Sequence, residues 1–184
     1  MMHQTADLDY LETDDFQALR LPYGNGAWNM TVLLPIAKSN EVQTGEDINK
    51  VLKSLNSASW QKIQQQMAPM KVDVNLPRLE SDTDIDLIPI MRKLGMTKAF
   101  TSAAEFPNFC NTATFIGLMK QVAKIKLDEE GTEAAAVTVI GMDKSMAGPS
   151  EPDYATFYAN HPFLYVISEK TTGAIFFIGQ YTGY

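Results

Sequence analysis

The sequence carries a single cysteine, Cys110, so no disulfide can close within the chain and the redox compartment is left open. Histidine is nearly as scarce, with His3 and His161 only. Basic charge is short as well: 15 Lys and Arg stand against 22 Asp and Glu, giving a net charge of −7 and a pI near 4.8. That balance argues against a nucleic-acid partner, which needs a basic face. No apolar run approaches the roughly 20 residues of a membrane helix, and the N-terminus has no basic-then-apolar signal pattern. Internal repeats and low-complexity tracts are missing too. So are a glycine-rich phosphate loop and metal-ligand spacing, and no cofactor or metal is expected. What remains is a chain of 184 residues, 45% of them hydrophobic, which is one domain's worth and long enough to bury a core.

Residues 1–12 are weakly patterned. Phe16–Tyr23 alternates, Tyr23-Gly-Asn-Gly26 signals a tight turn with Asn-Gly supplying positive φ, and Trp28–Leu34 is an apolar strand stopped by Pro35. Together they predict an antiparallel hairpin. Thr44 and Asp47 have capping-box spacing, with Asp in place of the usual Glu. Ile48, Val51, Leu52 and Leu55 then fall at i, i+3, i+4 and i+7, the pattern of an amphipathic helix. Ser59 is placed to cap a second short helix, with Trp60, Ile63 and Met67 on one side and Gln64–Gln66 as its wet face. Met70–Leu79 reads as a long strand, with Pro77-Arg78 interrupting it as at an edge or bend. Asp84 opens a third helix whose stripe is Leu87, Ile90, Met91 and Leu94, with Pro89 in its first turn and Gly95 suited to a left-handed stop. The chain ends in a hairpin, Phe163–Ile167 and Ala174–Ile178 about a turn at 170–173. Both of its strands are apolar on both faces and are expected to be buried.

The central stretch is less ordinary. Residues 115–127 read as a strand, with Met119, Ala123, Ile125 and Leu127 on one face and Lys120, Lys124 and Lys126 on the other. Acids and a glycine end it. Ala134–Ile140 is then a run of small and β-branched residues without charge, fit to pair as a strand. It leads straight into Gly141–Asp153, which has the composition of an exposed loop. Pattern alone leaves two readings: a buried strand before a surface loop, or a segment fit to enter a sheet that is tethered to one fit to stay in water.

Enzymatic constellations are poor. A Cys110 nucleophile with His161 as base is conceivable, but a semi-buried structural cysteine is the simpler reading. His161 precedes Pro162 and a buried strand, which suits a structural role. Asp82, Asp84 and Asp86 alternate without the glycine and terminal Glu of a calcium loop, and read as a solvated helix start. No catalytic residue is assigned.

Glu129-Glu-Gly-Thr-Glu-Ala-Ala-Ala136 resembles the hinge of the reactive-centre loop of serpins, a family of conformational protease inhibitors. Phe157-Tyr-Ala-Asn-His-Pro-Phe-Leu164 and Ile175-Phe-Phe-Ile-Gly179 resemble that family's last strands, in the same order and spacing. The hairpin at 16–35, with Leu-Pro at the end of each strand, resembles the centre of its B sheet. Leu94-Gly-Met96, Phe100 and Ala104-Glu-Phe106 follow its pattern for the connection between. The resemblance covers the whole chain. It implies an α+β serpin fold of mixed multi-strand sheets A, B and C with helices. This chain would be the C-terminal portion of that domain over 1–184, mainly β with three short helices, with the reactive-centre loop at about 130–153. Met1-Met2 matches a point inside the family domain. An N-terminal half is therefore an expected partner, supplying most helices and the partner strands of the A sheet. Without it the strands at 70–79 and 115–127 would carry exposed apolar edges, and loop–sheet oligomers would be a hazard.

The resemblance implies no enzyme but an inhibitor of a serine protease, or of a cysteine protease. The protease cuts the loop and forms its acyl-enzyme, and the hinge then enters the main sheet as a new strand, so that the loop acts as a suicide substrate. The hinge comprises Glu129, Glu130, Gly131, Thr132, Glu133, Ala134, Ala135, Ala136 and Thr138. Under strand alternation Thr132, Ala134, Ala136 and Thr138 share one face and are small enough to enter a gap, where a charge or a proline would stall entry. The bond attacked falls between Met142 and Ala147, with Met142, Lys144, Ser145 and Met146 as the candidate residues. Arg78 and Glu129 are matched to an ion pair where the sheet opens. Gln121 takes the place where many members have a histidine that helps lock the sheet, so pH gating there is in doubt. The alternative readings are a non-inhibitory binding relative and an inactive or complementing fragment. The resemblance places the protein outside the cell or in a periplasm.

Overall fold

A computed structural model gives the protein's structure at residues 1–36, 45–110, 112–128 and 154–183. These fall into two compact units, one built from residues 1–78 together with 128–184, the other from Leu79–Leu127.

The larger unit holds strands β1 (Met2–Glu12), β2 (Phe16–Tyr23), β3 (Trp28–Pro35), β4 (Ala68–Leu76), β7 (Ala155–Tyr158), β8 (Phe163–Glu169) and β9 (Ile175–Tyr181). They form one sheet in the order β7-β4-β1-β2-β3-β8-β9. Every pair is antiparallel except β4 with β7. Helices α1 (Gly45–Ser54) and α2 (Ser57–Gln66) connect β3 to β4. The smaller unit holds β5 (Leu79–Asp86), the short helix α3 (Ile88–Lys93) and β6 (Lys120–Leu127).

The β2–β3 hairpin forms where its sequence predicts. Gly24 and Gly26 take φ of 52° and 79°, and the Gly26 N–H donates to the Tyr23 carbonyl at 2.8 Å. Asn25 Oδ1 accepts the Ala27 N–H at 3.1 Å, which closes the turn a second time. β3 is central and buried on both faces. On one face Ala18, Leu33, Leu164 and Val166 line up across β2, β3 and β8 and pack against Ile48, Val51, Trp60, Ile63 and Met67 from the helical connection. On the other lie Leu19, Leu21, Met30, Val32 and Tyr165. Each such side chain is worth roughly 1.5–3 kcal/mol on burial, so the two faces of β3 anchor the unit.

Several expectations change. Residues 1–12, weakly patterned in sequence, form the longest strand, because β1 fills the gap between β2 and β4. α2 begins two residues before Ser59. Asn56 is its cap: Asn56 Oδ1 accepts the N–H groups of Ala58 and Ser59, and Ser59 Oγ accepts the Asn56 N–H at 2.8 Å. Gln64 is not on a wet face; its side chain accepts from Arg20 at 2.6 Å. Thr44, the expected cap of α1, lies outside the described residues. Leu52 is exposed while Ile48 and Val51 are buried, so the buried stripe of α1 is narrower than its apolar pattern.

β4 ends at Leu76 and is flanked by β1 and β7, so it is not an edge. The expected helix at Asp84 does not start there. β5 continues to Asp86, because pairing with β6 and the Lys120–Asp84 contact outweigh a local capping signal. α3 follows with Pro89 in its first turn and stops at Gly95, where φ is 98°. In the terminal hairpin β8 is buried as expected but β9 is not: Ile175, Phe176, Phe177 and Ile178 all stay exposed, since β9 is the sheet's last strand.

Candidate functional site

β6 is the last described strand before residues 129–153, and it lies in the smaller unit. β5 and β6 run antiparallel in continuous register from Leu79 opposite Leu127 to Asp86 opposite Lys120. Alternation then sorts the side chains. Glu80, Asp82, Asp84 and Asp86 share a face with Lys126, Lys124, Val122 and Lys120. Lys120 Nζ lies 2.9 Å from Asp84, and Lys124 Nζ bridges Asp82 at 3.3 Å and Glu80 at 3.4 Å. Asp82 first, and then Glu80, holds the Lys124 ammonium above the ordinary lysine range. All these groups are exposed, so water and salt screen them, and they specify register more than they add stability.

The opposite face carries Leu79, Ser81, Thr83 and Ile85 over Leu127, Ile125, Ala123 and Gln121. The split of lysines from apolar residues along β6 therefore stands as its spacing predicts. Gln121 sits opposite Ile85, on the mixed apolar face and away from the lysines. Among the described residues β6 pairs on one side only, with β5.

Arg78 is exposed between β4 and β5. Glu129, its expected partner, lies outside the described residues, as do Glu130, Gly131, Thr132, Glu133, Ala134, Ala135, Ala136 and Thr138 of the hinge. The same holds for Met142, Lys144, Ser145 and Met146 around the expected cleavage site. The structure meets the chain again at Tyr154. From there β7 runs parallel to β4 with Phe157 opposite Val74, both buried. The Ala159 N–H donates to the Asn75 carbonyl at 2.9 Å, and Gln17 Nε2 donates to the Thr156 carbonyl at 3.3 Å. The chain is thus fastened into the larger sheet from Ala155 onward. The alternation of Ala155, Phe157 and Ala159 is the signal that marks this strand in sequence.

The other candidates are local structure. Cys110 Sγ contacts Thr114 Oγ1 at 2.9 Å and donates to the Thr112 carbonyl at 3.3 Å, and these hydrogen bonds, Thr114 first, draw its thiol pKa down. His161 Nε2 donates to the Pro35 carbonyl at 3.0 Å, and its Nδ1 lies 2.8 Å from the Asn160 side-chain amide. Burial holds its pKa below the usual imidazole value. Asp82, Asp84 and Asp86 stand on β5 facing lysines rather than at a helix start. No group of three or more metal-ligating side chains comes together among the described residues. None of their helices is long and apolar enough to cross a membrane.

Comparison with known proteins bears on this site. The family model described as "Serpin (serine protease inhibitor)" matches residues 1–183. The chain is 40% identical over 161 residues to serine protease inhibitor 88Ea of Drosophila melanogaster, covering 87% of the chain and 36% of that relative. It is 34% identical over 186 residues to human serpin B11, covering 98% of the chain and 45% of that relative. The crystal structure of the thermophilic serpin tengpin in its native state superposes with a TM-score of 0.77 at 25% identity, over 100% of this chain and 46% of that one. Maspin superposes with a TM-score of 0.78 at 24% identity, over 98% of this chain and 46% of that one, a likeness of fold. The chain thus spans less than half the length of the relatives it matches.

Proposed function

The chain belongs to the serpin family, and on that premise we propose that it inhibits serine-type endopeptidases as a suicide substrate. The target is a serine protease in the first instance and a cysteine protease in the second. It attacks a bond between Met142 and Ala147 and becomes acylated by the residue before that bond. The hinge from Glu129 to Thr138 then enters the main sheet alongside β6 and draws the tethered protease with it. About a dozen new ladder hydrogen bonds at roughly 0.5–1.5 kcal/mol each supply the work, with apolar burial at about 25 cal/mol per Å² adding to it.

The observation that supports this reading is β6 itself. It is held to β5 along its full length on one side, and the small residues Thr132, Ala134, Ala136 and Thr138 follow it directly in sequence. A second support is β7, which fastens the other end of the loop separately, so that a cut leaves the hinge attached only through β6. In this reading the sheet partner on the far side of β6 comes from an N-terminal half of the family domain. Arg78 with Glu129 and Gln121 govern opening, and a loop that enters another molecule's sheet gives oligomers. The place of action is extracellular or periplasmic, which fractionation of the native source tests.

The test mixes the intact protein with a panel of serine proteases and resolves the products on denaturing gels. A band of protease bound covalently to the loop's N-terminal side is expected. Thr138→Arg should keep the cleavage and lose that band, because a charge at the hinge stalls entry. Clean cleavage of the unsubstituted protein by every protease, with no covalent band and no rise in unfolding temperature after cutting, would sink the suicide mechanism and favour a non-inhibitory binding protein.

A further inference from the structure

Six buried side-chain polar atoms lack a hydrogen-bond partner among the described residues; four of them lie on one face of the larger sheet and a fifth, Gln64 Nε2, is on α2. Asn29, Thr31 and Ser168 are essentially inaccessible, at 1%, 0% and 1% exposure. Asn29 stands opposite Ser168 across β3 and β8, and Thr31 is two residues further along the same face of β3. Asn29 Nδ2, Ser168 Oγ and Thr31 Oγ1 have no partner. Thr31 in turn stands opposite Arg20 on β2. Arg20 gives two bonds to Gln64 on α2 and one to Asp9 at 2.7 Å, yet its Nε is unpartnered, as is Gln64 Nε2. Cross-strand neighbours stand about 4.5–5.5 Å apart at Cβ, so Asn29 adjoins Ser168 and Thr31 adjoins Arg20, which Gln64 of α2 meets from above the sheet.

The geometry points to a buried hydration site on this face, holding about two ordered waters at roughly three hydrogen bonds each. Chemistry selects the guest. Arg20 Nε, Asn29 Nδ2 and Gln64 Nε2 donate only, while the Thr31 and Ser168 hydroxyls both donate and accept. A guest that accepts from the nitrogens and donates to a hydroxyl is water. A small anion satisfies the donors but adds a second negative charge where Asp9 already neutralises Arg20, and a buried charge without a counter-charge is strongly disfavoured. Apolar matter leaves all five atoms unpaired, against the small net stability of a domain. The waters would tie α2 to β2, β3 and β8 through polar contacts, next to the apolar cluster of Trp60 and Ile63.

A high-resolution crystal structure of the intact protein tests this directly. Solvent peaks are expected within about 2.7–3.2 Å of Asn29 Nδ2, Thr31 Oγ1 and Ser168 Oγ. Direct pairing of Asn29 with Ser168 and no solvent density between α2 and the sheet overturns the proposal. So does a halide or other anion at the site. In solution, oxygen-17 relaxation dispersion reads long-lived buried water. The double variant Thr31→Val with Ser168→Ala should lower the long-lived water amplitude while keeping its circular dichroism, and an unchanged amplitude is a refutation. If the double variant does not fold, Ser168→Ala alone and the crystal structure of the unsubstituted protein still decide.

Discussion

The two units are built from the same alternating strands, but they resolve their apolar side chains in opposite ways. In the larger unit the strands at the sheet's centre bury both faces: Ala18, Leu19, Met30, Val32 and Leu33 are fully inaccessible. In the smaller unit Leu94, Phe109, Leu118 and Val122 are 70–81% exposed, and Leu79, Phe100 and Leu127 are what it buries. A two-stranded ladder is marginal in water by itself, and this one is held by backbone bonds and exposed ion pairs. The difference teaches where rigidity sits. The larger unit is a scaffold with its own core. The smaller is a strand pair in which β6, among the described residues, carries a ladder on one side only. The proposed insertion uses the other side.

The sharpest way to break this comparison is to cut equally at both places. Leu33→Ala removes a buried side chain packed between Ala18 and Leu164 on one face of β3 and should destabilise the intact protein by about 2–5 kcal/mol. Val122→Ala should change it by no more than about 0.5 kcal/mol. Denaturant unfolding of both variants checks the pair, and equal losses would remove the distinction between the units. A step smaller is Gly179→Ala. A Cβ at Gly179 would overlap the Tyr165 phenol directly across the β8–β9 ladder. The ring is buried and stiff, so the expected cost is about 1–3 kcal/mol, with partial recovery when Tyr165→Leu is added. If Gly179→Ala is neutral in thermal melts, the last strand is looser than the rest of the scaffold.

Next comes the cap. Asn56→Ala strips α2 of the oxygen that receives two backbone N–H groups and should cost about 1 kcal/mol, read as a lower unfolding temperature. Ser59→Ala, which removes the reciprocal bond and the exposed hydroxyl's donation to the Ser54 carbonyl at 2.9 Å, should cost less. The reverse order would make Ser59 the true cap.

That pair also shows what sequence patterning can and cannot see. The existence of α2 and its buried side at Trp60 and Ile63 follow from spacing. Its first residue does not, because Asn56 and Ser59 are both good caps and only the folded turn lets each serve the other. The β2–β3 hairpin was legible because Asn25-Gly26 fixes it locally. β1 was not, because only Leu8 and Tyr10, alternating with Asp7 and Asp9, carry its pattern while residues 2–5 are mostly polar; Asp9 is the partner of Arg20 on the next strand. The acids of β5 suggested a helix start until β6 supplied lysines opposite them. For the site, the two faces of β6 were readable from period alone, whereas the parallel pairing of β7 with β4 depends on a contact about 80 residues away in sequence. The exposure of β9 was hidden for another reason. An apolar strand looks the same whether or not a second surface covers it, and its position as the sheet's last strand is a property of topology.

The smallest effects expected are electrostatic, and they separate the units by pH. In the larger unit Glu169 accepts the N–H groups of Thr171 and Thr172 and the Thr172 hydroxyl, bonds that draw its carboxyl down to about 2, the Thr172 hydroxyl first. A depressed folded value means a contribution fully present above the ordinary carboxylate pKa, near 4.5, and lost as pH falls toward about 2. Glu169→Gln should therefore lower stability at neutral pH and flatten the acid limb, with the difference from the unsubstituted protein vanishing as pH falls toward about 2. In the smaller unit the sign reverses. Asp82 and Glu80 hold Lys124 above the lysine range, so its contribution is complete at neutral pH and fades only in strong base. Lys124→Gln should show only a small effect, because its partners are exposed and water and salt weaken the pairs. Equal acid limbs with and without Glu169→Gln would mean that the Thr171 and Thr172 bonds do not hold the carboxylate.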